Sequence, residues 1–244
     1  MLTQKVASLL IFIVSFVLVG PSSAQHTSTA PVAPSETISN LGPLLDRVNS
    51  LKSELREYHA CTCKCGCYAK DLDLEADRAI AFLRKRAQHI RPDEKLALVL
   101  DIDETTLSNW DQMSTANFEY NSKDFNAWVG SAQAPAIPGT LRVYEEAQRL
   151  GVSVFFLTGR SDSQRASTET NLRLRGFGKW QQLIMRPPGQ KGTTALAYKS
   201  AERAKIVADH YSIILNIGDQ WSDLRGDPRA EYSVKYPDPF YFIK

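Results

Sequence analysis

The chain has 244 residues, 43% of them hydrophobic and 23% charged, with a formal net charge of +2. That is enough apolar matter for one full core, and it points to one domain with at most a small appendage. No basic run or basic face stands out, so the charge balance gives no support to nucleic-acid binding.

Met1–Ala24 reads as a secretory signal. Lys5 supplies the positive start, Val6–Val19 is apolar, and Pro21-Ser22-Ser23-Ala24 offers small residues before a cut at Gln25. The apolar run is short for a membrane span, so cleavage is expected rather than stable membrane insertion. No cysteine lies nearby to carry a lipid. Losing this segment removes Lys5 and takes the net charge from +2 to +1. The mature protein is therefore expected outside the cytosol, secreted or periplasmic. Residues 25–40, rich in Ser, Thr, Pro and Ala, read as a disordered linker.

Residues 41–244 are read as the folded domain. Its first helix carries Leu44, Val48, Leu51 and Leu55 on one stripe, spaced by four, three and four residues. Such a stripe is too short to insist on a coiled coil, and packing against the body of the protein is expected. All four cysteines then fall in one run, Cys61-Thr62-Cys63-Lys64-Cys65-Gly66-Cys67. In an exported chain they are expected to form disulfides, with three connectivities open. A four-thiolate zinc or copper(I) site and free thiols are the alternatives. No arginine lies six residues beyond any of them, which excludes a cysteine-phosphatase loop.

Asp71–Gln88 has the period of an amphipathic helix, with Leu72, Ala76, Ala79, Ile80, Leu83 and Ala87 inward. After Arg91-Pro92-Asp93 comes Leu96–Thr106, LALVLDIDETT, around which the chain is organised. Its aliphatic half reads as a strand buried on both faces of a parallel sheet. Such a strand should not end in carboxylates, yet it ends in Asp101, Asp103 and Glu104. Asp101 and Asp103 project to the same side at the carboxyl end, the edge of an α/β sheet where ligands bind. Two carboxylates held there require a cation or a shared proton.

Residues 107–138 form a long aromatic insertion containing Trp110, Phe118, Tyr120, Phe125 and Trp128, and are expected to be irregular. A connection of this length in a compact domain is usually functional. The pattern then alternates: helix Gly139–Leu150, strand Val152–Leu157 ending in Thr158-Gly159-Arg160, helix Ser161–Arg175, strand Gln182–Met185. Next come a helix over Tyr198–His210, a strand over Tyr211–Ile217 ending in Gly218-Asp219, and a strand at Tyr232–Lys235. Alternating strands and helices predict an α/β fold, a doubly wound, Rossmann-like parallel sheet with flanking helices. The N-terminal helix is an extension, and the insertion is a small cap after the first catalytic strand.

DIDET, LTGR, YKS and GDQWSD, in this order, resemble the four signatures of the haloacid-dehalogenase superfamily. DIDETTLSN, the WV…A…IPG stretch, YKS…R…I, GDQWSDL and the ending YPDPFYF resemble in particular the secreted acid phosphatases of the class B/class C group, which include plant vegetative storage proteins. The resemblance implies a phosphomonoesterase acting on small-molecule esters. Asp101 would be the nucleophile and Asp103 the acid/base that serves the leaving alkoxide and then water. Magnesium would bind the Asp101 carboxylate, the Asp103 main-chain carbonyl and Asp219, and Asp223 would orient metal-bound waters or complete the sphere. Thr158 would donate to the phosphoryl oxygens, and Lys199 would offset negative charge. Among the lysines nearby, only the pattern YKS selects Lys199 over Lys191 and Lys205. From the length, position and aromatic content of the insertion, Trp110 and Trp128 are expected either over the mouth of the site, against the organic half of the substrate, or in a small satellite core. Arg160 is expected on the substrate. A phosphotransferase and a non-catalytic storage protein are the alternatives; the retained Asp101 argues against the latter. A histidine-based acid phosphatase is disfavoured, since none of the four histidines sits with arginines in a signature loop. The sequence sets no oligomeric state.

Overall fold

A computed structural model of the protein describes residues 41–61, 67–188 and 192–243. The signal segment, the linker, Cys63, Cys65 and Lys191 lie outside the described residues. Helix α1 spans Leu41–Ala60, α2 Tyr68–Arg86 and strand β1 Lys95–Leu100. The insertion holds two helices, α3 (Trp110–Thr115) and α4 (Ser122–Ser131), where the sequence predicts an irregular segment. Asn121 starts the second of these: its side-chain oxygen accepts from the backbone N–H groups of Lys123 and Asp124, at 2.9 and 3.3 Å. Beyond the insertion lie α5 (Pro138–Arg149), β2 (Ser153–Ser161), a short 3-10 turn with α6 (Arg165–Leu174), and β3 (Gln182–Arg186). Helix α7 (Ala195–Ala208), β4 (Tyr211–Gly218), α8 (Trp221–Leu224) and β5 (Tyr232–Lys235) complete the order.

The five strands form one sheet in the order β3-β2-β1-β4-β5, and every pairing is parallel. β1 is central, and its residues after Lys95 are buried on both faces. Leu96, Leu98 and Leu100 point into a core with Leu72, Ala76 and Leu83 of α2 and Val143 and Ala147 of α5. Ala97 and Val99 point the other way, to Tyr198 and Ile206 of α7. A period of two thus shares one strand between two cores. α2 and α5 approach closely at Gly139, where an added Cβ would sit 2.9 Å from that of Ala76.

The β2–β3 register shifts between Leu157 and Ser161, so Thr158-Gly159-Arg160 leaves the ladder at the sheet edge that also carries Asp101 and Asp219. Ser161 caps the 3-10 turn: its side chain accepts from the backbone N–H of Ser163 and forms a capping box with Gln164.

The α1 stripe does not pack as expected. Leu55 rests against the core, but Leu44, Leu45, Val48 and Leu51 are exposed at 59, 56, 45 and 55%. Its C-terminal end is fixed by several contacts. Cys61 is bonded to Cys67, Tyr58 donates to Asp71 at 2.6 Å, and Arg56 donates to Asn117 at 2.9 Å. The His59 ring lies stacked on Trp110, centroids 3.6 Å apart. No described helix is long and apolar enough to cross a membrane.

Candidate active site

At the carboxyl edge of the sheet, Asp101 comes directly after β1, Thr158 lies in the out-of-register part of β2, and Asp219 comes directly after β4. Asp223 sits in α8 and Lys199 in α7, which starts where the Thr194 side chain accepts from the Ala197 N–H at 3.1 Å. Asp101, Asp219 and Asp223 each bring one carboxylate oxygen within 4.8 Å of the others, and all three are buried. Three hard oxygen donors at that spacing fit a small divalent cation. The Asp103 carboxylate is not among them.

The Lys199 ammonium lies between two of these acids, donating to Asp101 Oδ1 and to Asp223 Oδ1, each at 2.5 Å. Burial alone would lower its pKa, but the charges of Asp101 and Asp223 hold it above the ordinary lysine value. Burial drives Asp101 well above the usual carboxylate range; Lys199 opposes this and the neighbouring acids add to it. Asp219 is raised for the same first reason, burial, and next by Asp223. Of the rival lysines, Lys205 is exposed and pairs with Glu202 at 2.7 Å.

Asp103 sits in a different setting. Arg160 Nη2 donates to its Oδ1 at 2.7 Å and Nε donates to both oxygens, at 3.1 and 3.2 Å. Burial would raise Asp103, but the Arg160 charge and hydrogen bonds bring it below the ordinary value. Arg160, expected on the substrate, is thus committed to Asp103. Thr158 is fully buried, and its hydroxyl oxygen accepts from the Arg160 N–H at 3.1 Å.

The two tryptophans have protein partners. Trp110 stacks on His59 and packs with Phe118 and Phe240. Trp128 donates from Nε1 to Asn109 Oδ1 at 2.8 Å. The Asn109 amide in turn donates to Asp103 Oδ1 and to Glu104 Oε2, each at 2.8 Å. Glu104 has a positive φ of 53° and is pushed up to about 8, by burial first and the Asp103 charge second.

Several residues that the motifs alone leave without a role hold this arrangement. Arg203 is fully buried and donates to the carbonyl oxygens of Asp223, Arg225, Gly226 and Pro228, tying down the loop after β4. At Gly218 a side chain would collide with Asp223, so the residue before Asp219 has to lack one. Gln220 joins Asp219 to the tail: its amide donates to Asp219 Oδ2 at 2.7 Å and Asp238 Oδ2 at 2.8 Å. Its Oε1 accepts from Ile243 N–H at 3.2 Å. The Tyr241 phenol is raised by burial first and then by the charges of Asp219, Glu104, Asp103 and Asp238. The sequence signal for Gly218, Gln220, Tyr241 and Arg203 is their place inside GDQWSDL, YPDPFYF and YKS…R…I.

A parallel sheet whose central strand runs into two aspartates, answered by a lysine and two more aspartates from later in the chain, defines a haloacid-dehalogenase-like α/β protein. Comparison with known proteins agrees. The model for the HAD superfamily, subfamily IIIB (acid phosphatase) matches residues 35–244, and the chain belongs to that family. It is 36% identical over 179 residues to acid phosphatase 1 of Solanum lycopersicum, covering 72% of this chain and 69% of that one. It is 31% identical over 169 residues to vegetative storage protein 1 of Arabidopsis thaliana, covering 67% of this chain and 61% of that one. In fold it resembles the class C acid phosphatase from Bacillus anthracis with tungstate bound. The TM-score is 0.64 at 21% identity, over 79% of this chain and 85% of that one.

Proposed function

We propose that the protein is an exported, magnesium-dependent acid phosphatase that hydrolyses small phosphomonoesters through an aspartyl-phosphate on Asp101. The observation that carries this reading is the meeting of Asp101, Asp219 and Asp223 within 4.8 Å at the sheet edge, with Lys199 Nζ at 2.5 Å from two of them. Asp101 Oδ attacks phosphorus, and the bond from phosphorus to the ester oxygen breaks. Asp103 gives its proton to the departing alkoxide. It then takes one from the water that attacks phosphorus, which frees Asp101 and releases inorganic phosphate. Lys199 offsets the charge that carboxylate and ester bring together, and Thr158 offers its hydroxyl hydrogen to the phosphoryl oxygens. The carboxylates of Asp101, Asp219 and Asp223, with the Asp103 carbonyl, would hold magnesium. Bound there, the ion supplies the positive charge that lets one anion approach another.

Working at acidic pH is carried over from the family. Export is supported by the Met1–Ala24 pattern and by the Cys61–Cys67 bond, which suits an oxidising compartment. The test is phosphate release from a panel of aryl, alkyl and nucleotide monoesters, with magnesium and with chelator. Release is expected only with the ion, and Asp101→Asn should abolish it while leaving the circular dichroism unchanged. Substantial turnover by Asp101→Asn would overturn the mechanism. Transfer of phosphate to added alcohols in preference to water would make the protein a phosphotransferase, and no turnover by the intact protein would favour a storage role.

A further inference from the structure

We propose that the Cys61–Cys67 bond is a site of thiol–disulfide exchange with a dithiol, and that its redox state sets how firmly the insertion holds Asp103. The consequence for turnover rests on the functional reading above; the exchange itself does not. The bond spans only six positions of sequence. A loop that short removes little entropy from the unfolded chain, so the bond is a weak staple for the whole domain. Its two sulfurs are unequal. Cys61 is partly exposed, whereas Cys67 is 2% exposed and is the N-cap residue of α2. An incoming thiolate therefore attacks Cys61 Sγ, and Cys67 leaves as a thiolate. The positive end of α2 stabilises that anion and makes it the better leaving group. The second thiol of the dithiol then attacks the dithiol's own sulfur in the mixed disulfide and frees Cys61. The dithiol gives up two electrons and two protons and ends as a disulfide, while Cys61 and Cys67 end as thiols.

What the bond holds lies directly against the insertion. The His59 ring is stacked on Trp110, with 3.6 Å between centroids and 3° between planes. Arg56 donates to Asn117 Oδ1 at 2.9 Å, and its guanidinium lies 5.1 Å from the centre of the Phe118 ring. The last turns of α1 thus touch the insertion at both ends of α3. Trp110 directly follows Asn109, whose amide donates to Asp103 Oδ1 and Glu104 Oε2, each at 2.8 Å. A continuous path of contacts therefore runs from the sulfur pair through α1 and Trp110 to an oxygen of the proposed acid/base. All of residues 41–51 are exposed, so little else holds α1 once the bond is cut. A helix end so lightly packed opens at low cost. Turnover is then full only where thiols are oxidised, outside the cytosol.

Hydrogen exchange, read by mass spectrometry on the processed protein before and after dithiothreitol, tests this. The double variant C63S/C65S is used throughout, so that only Cys61 and Cys67 can react. Reduction should speed exchange about tenfold or more at residues 55–60 and 110–118, while β1 and β4 stay protected. The turnover number should fall about fivefold with KM unmoved, the effect of losing one orienting hydrogen bond, and should return on reoxidation. Adding C61S/C67S should reproduce the reduced behaviour and remove the response to dithiothreitol. A bond that dithiothreitol leaves intact, unchanged exchange at both segments, or lost protection throughout the sheet would overturn the proposal. So would loosening of both segments with turnover unmoved. Exchange is read without substrate, so an oxidised protein that hydrolyses no ester would sink the functional reading alone.

Discussion

Lys199→Met removes one charge from the most crowded part of the molecule while keeping a side chain of similar length. The ammonium is 2.5 Å from Asp101 Oδ1 and 2.5 Å from Asp223 Oδ1, and the lysine is 6% exposed. Breaking a buried ion pair from one side leaves the other charge uncompensated and costs about 3–5 kcal/mol. For a domain of this size each kcal/mol moves the melting temperature about 2–4 °C, so a fall of roughly 6–20 °C is expected by calorimetry at neutral pH without metal. The dependence on pH has a definite sign. Lys199 is held above the ordinary lysine value, so its contribution is present throughout neutral and acid pH. Asp101 and Asp219 are raised, so as pH falls they become neutral and need the lysine less; the gap between variant and parent should narrow. Magnesium should raise the melting temperature of the variant more than that of the parent, because it supplies charge to the same acids. The rate of phosphate release should fall about a hundredfold or more. A variant melting within about 2 °C of the parent, with unaltered turnover, would refute the claim that this lysine balances the site.

Trp128→Phe deletes the N–H that orients Asn109, and so should lower turnover several-fold on aryl and nucleotide esters alike. A loss confined to aryl esters would instead assign Trp128 to the substrate. Arg160→Met frees Asp103 from the guanidinium, so its pKa should rise and the pH-rate profile should move to higher pH. The shift should be larger for alkyl than for aryl phosphates, whose leaving groups need the proton less, and an unmoved profile would contradict the pairing. Glu146 is held at about 2, chiefly by hydrogen bonds from Arg149 and Arg84, below its ordinary 4.5. Its depressed folded value adds stability that is present above pH 4.5 and lost as pH falls towards 2, and Glu146→Gln should flatten urea midpoints across that window.

Some of this was legible in the sequence for a physical reason. A parallel strand must be apolar on both faces, so carboxylates at the ends of LALVL and YSIILNIG stand out against their surroundings. Lys199 is legible only through the motif YKS, because helical period alone cannot say which lysine turns inward. Arg160 is visible as a residue and not as a partner: the register shift after Leu157 that aims it at Asp103 is a property of the sheet, not of the triplet TGR. The insertion hides its helices because its aromatic residues keep no period, while the cap at Asn121 is a local signal that was available. For α1 the period is right and the inference from it is not. An apolar stripe says that a face seeks cover; it does not say where along the helix that cover is found.

Asp101 and Asp103 are two residues apart and emerge from the same strand end, yet each faces a different cation, and this division is what lets one site hold both. The cation at Asp101 is a lysine shared with Asp223, a compact charge among acids that burial otherwise drives toward neutrality. The cation at Asp103 is an arginine whose fork spans both carboxylate oxygens, and the Asn109 amide bonds one of them from a second direction. On the proposed mechanism, an acid fixed from two directions is held back from phosphorus, and Asp101 is the carboxylate left to approach it. Arg160 also keeps Asp103 ionised in the resting protein, so a proton for the alkoxide has to be taken up before the first step, and uptake is easiest in acid. On the proposed mechanism, a preference for acid would have a local cause in this chain: the guanidinium that orients Asp103 also lowers its hold on a proton.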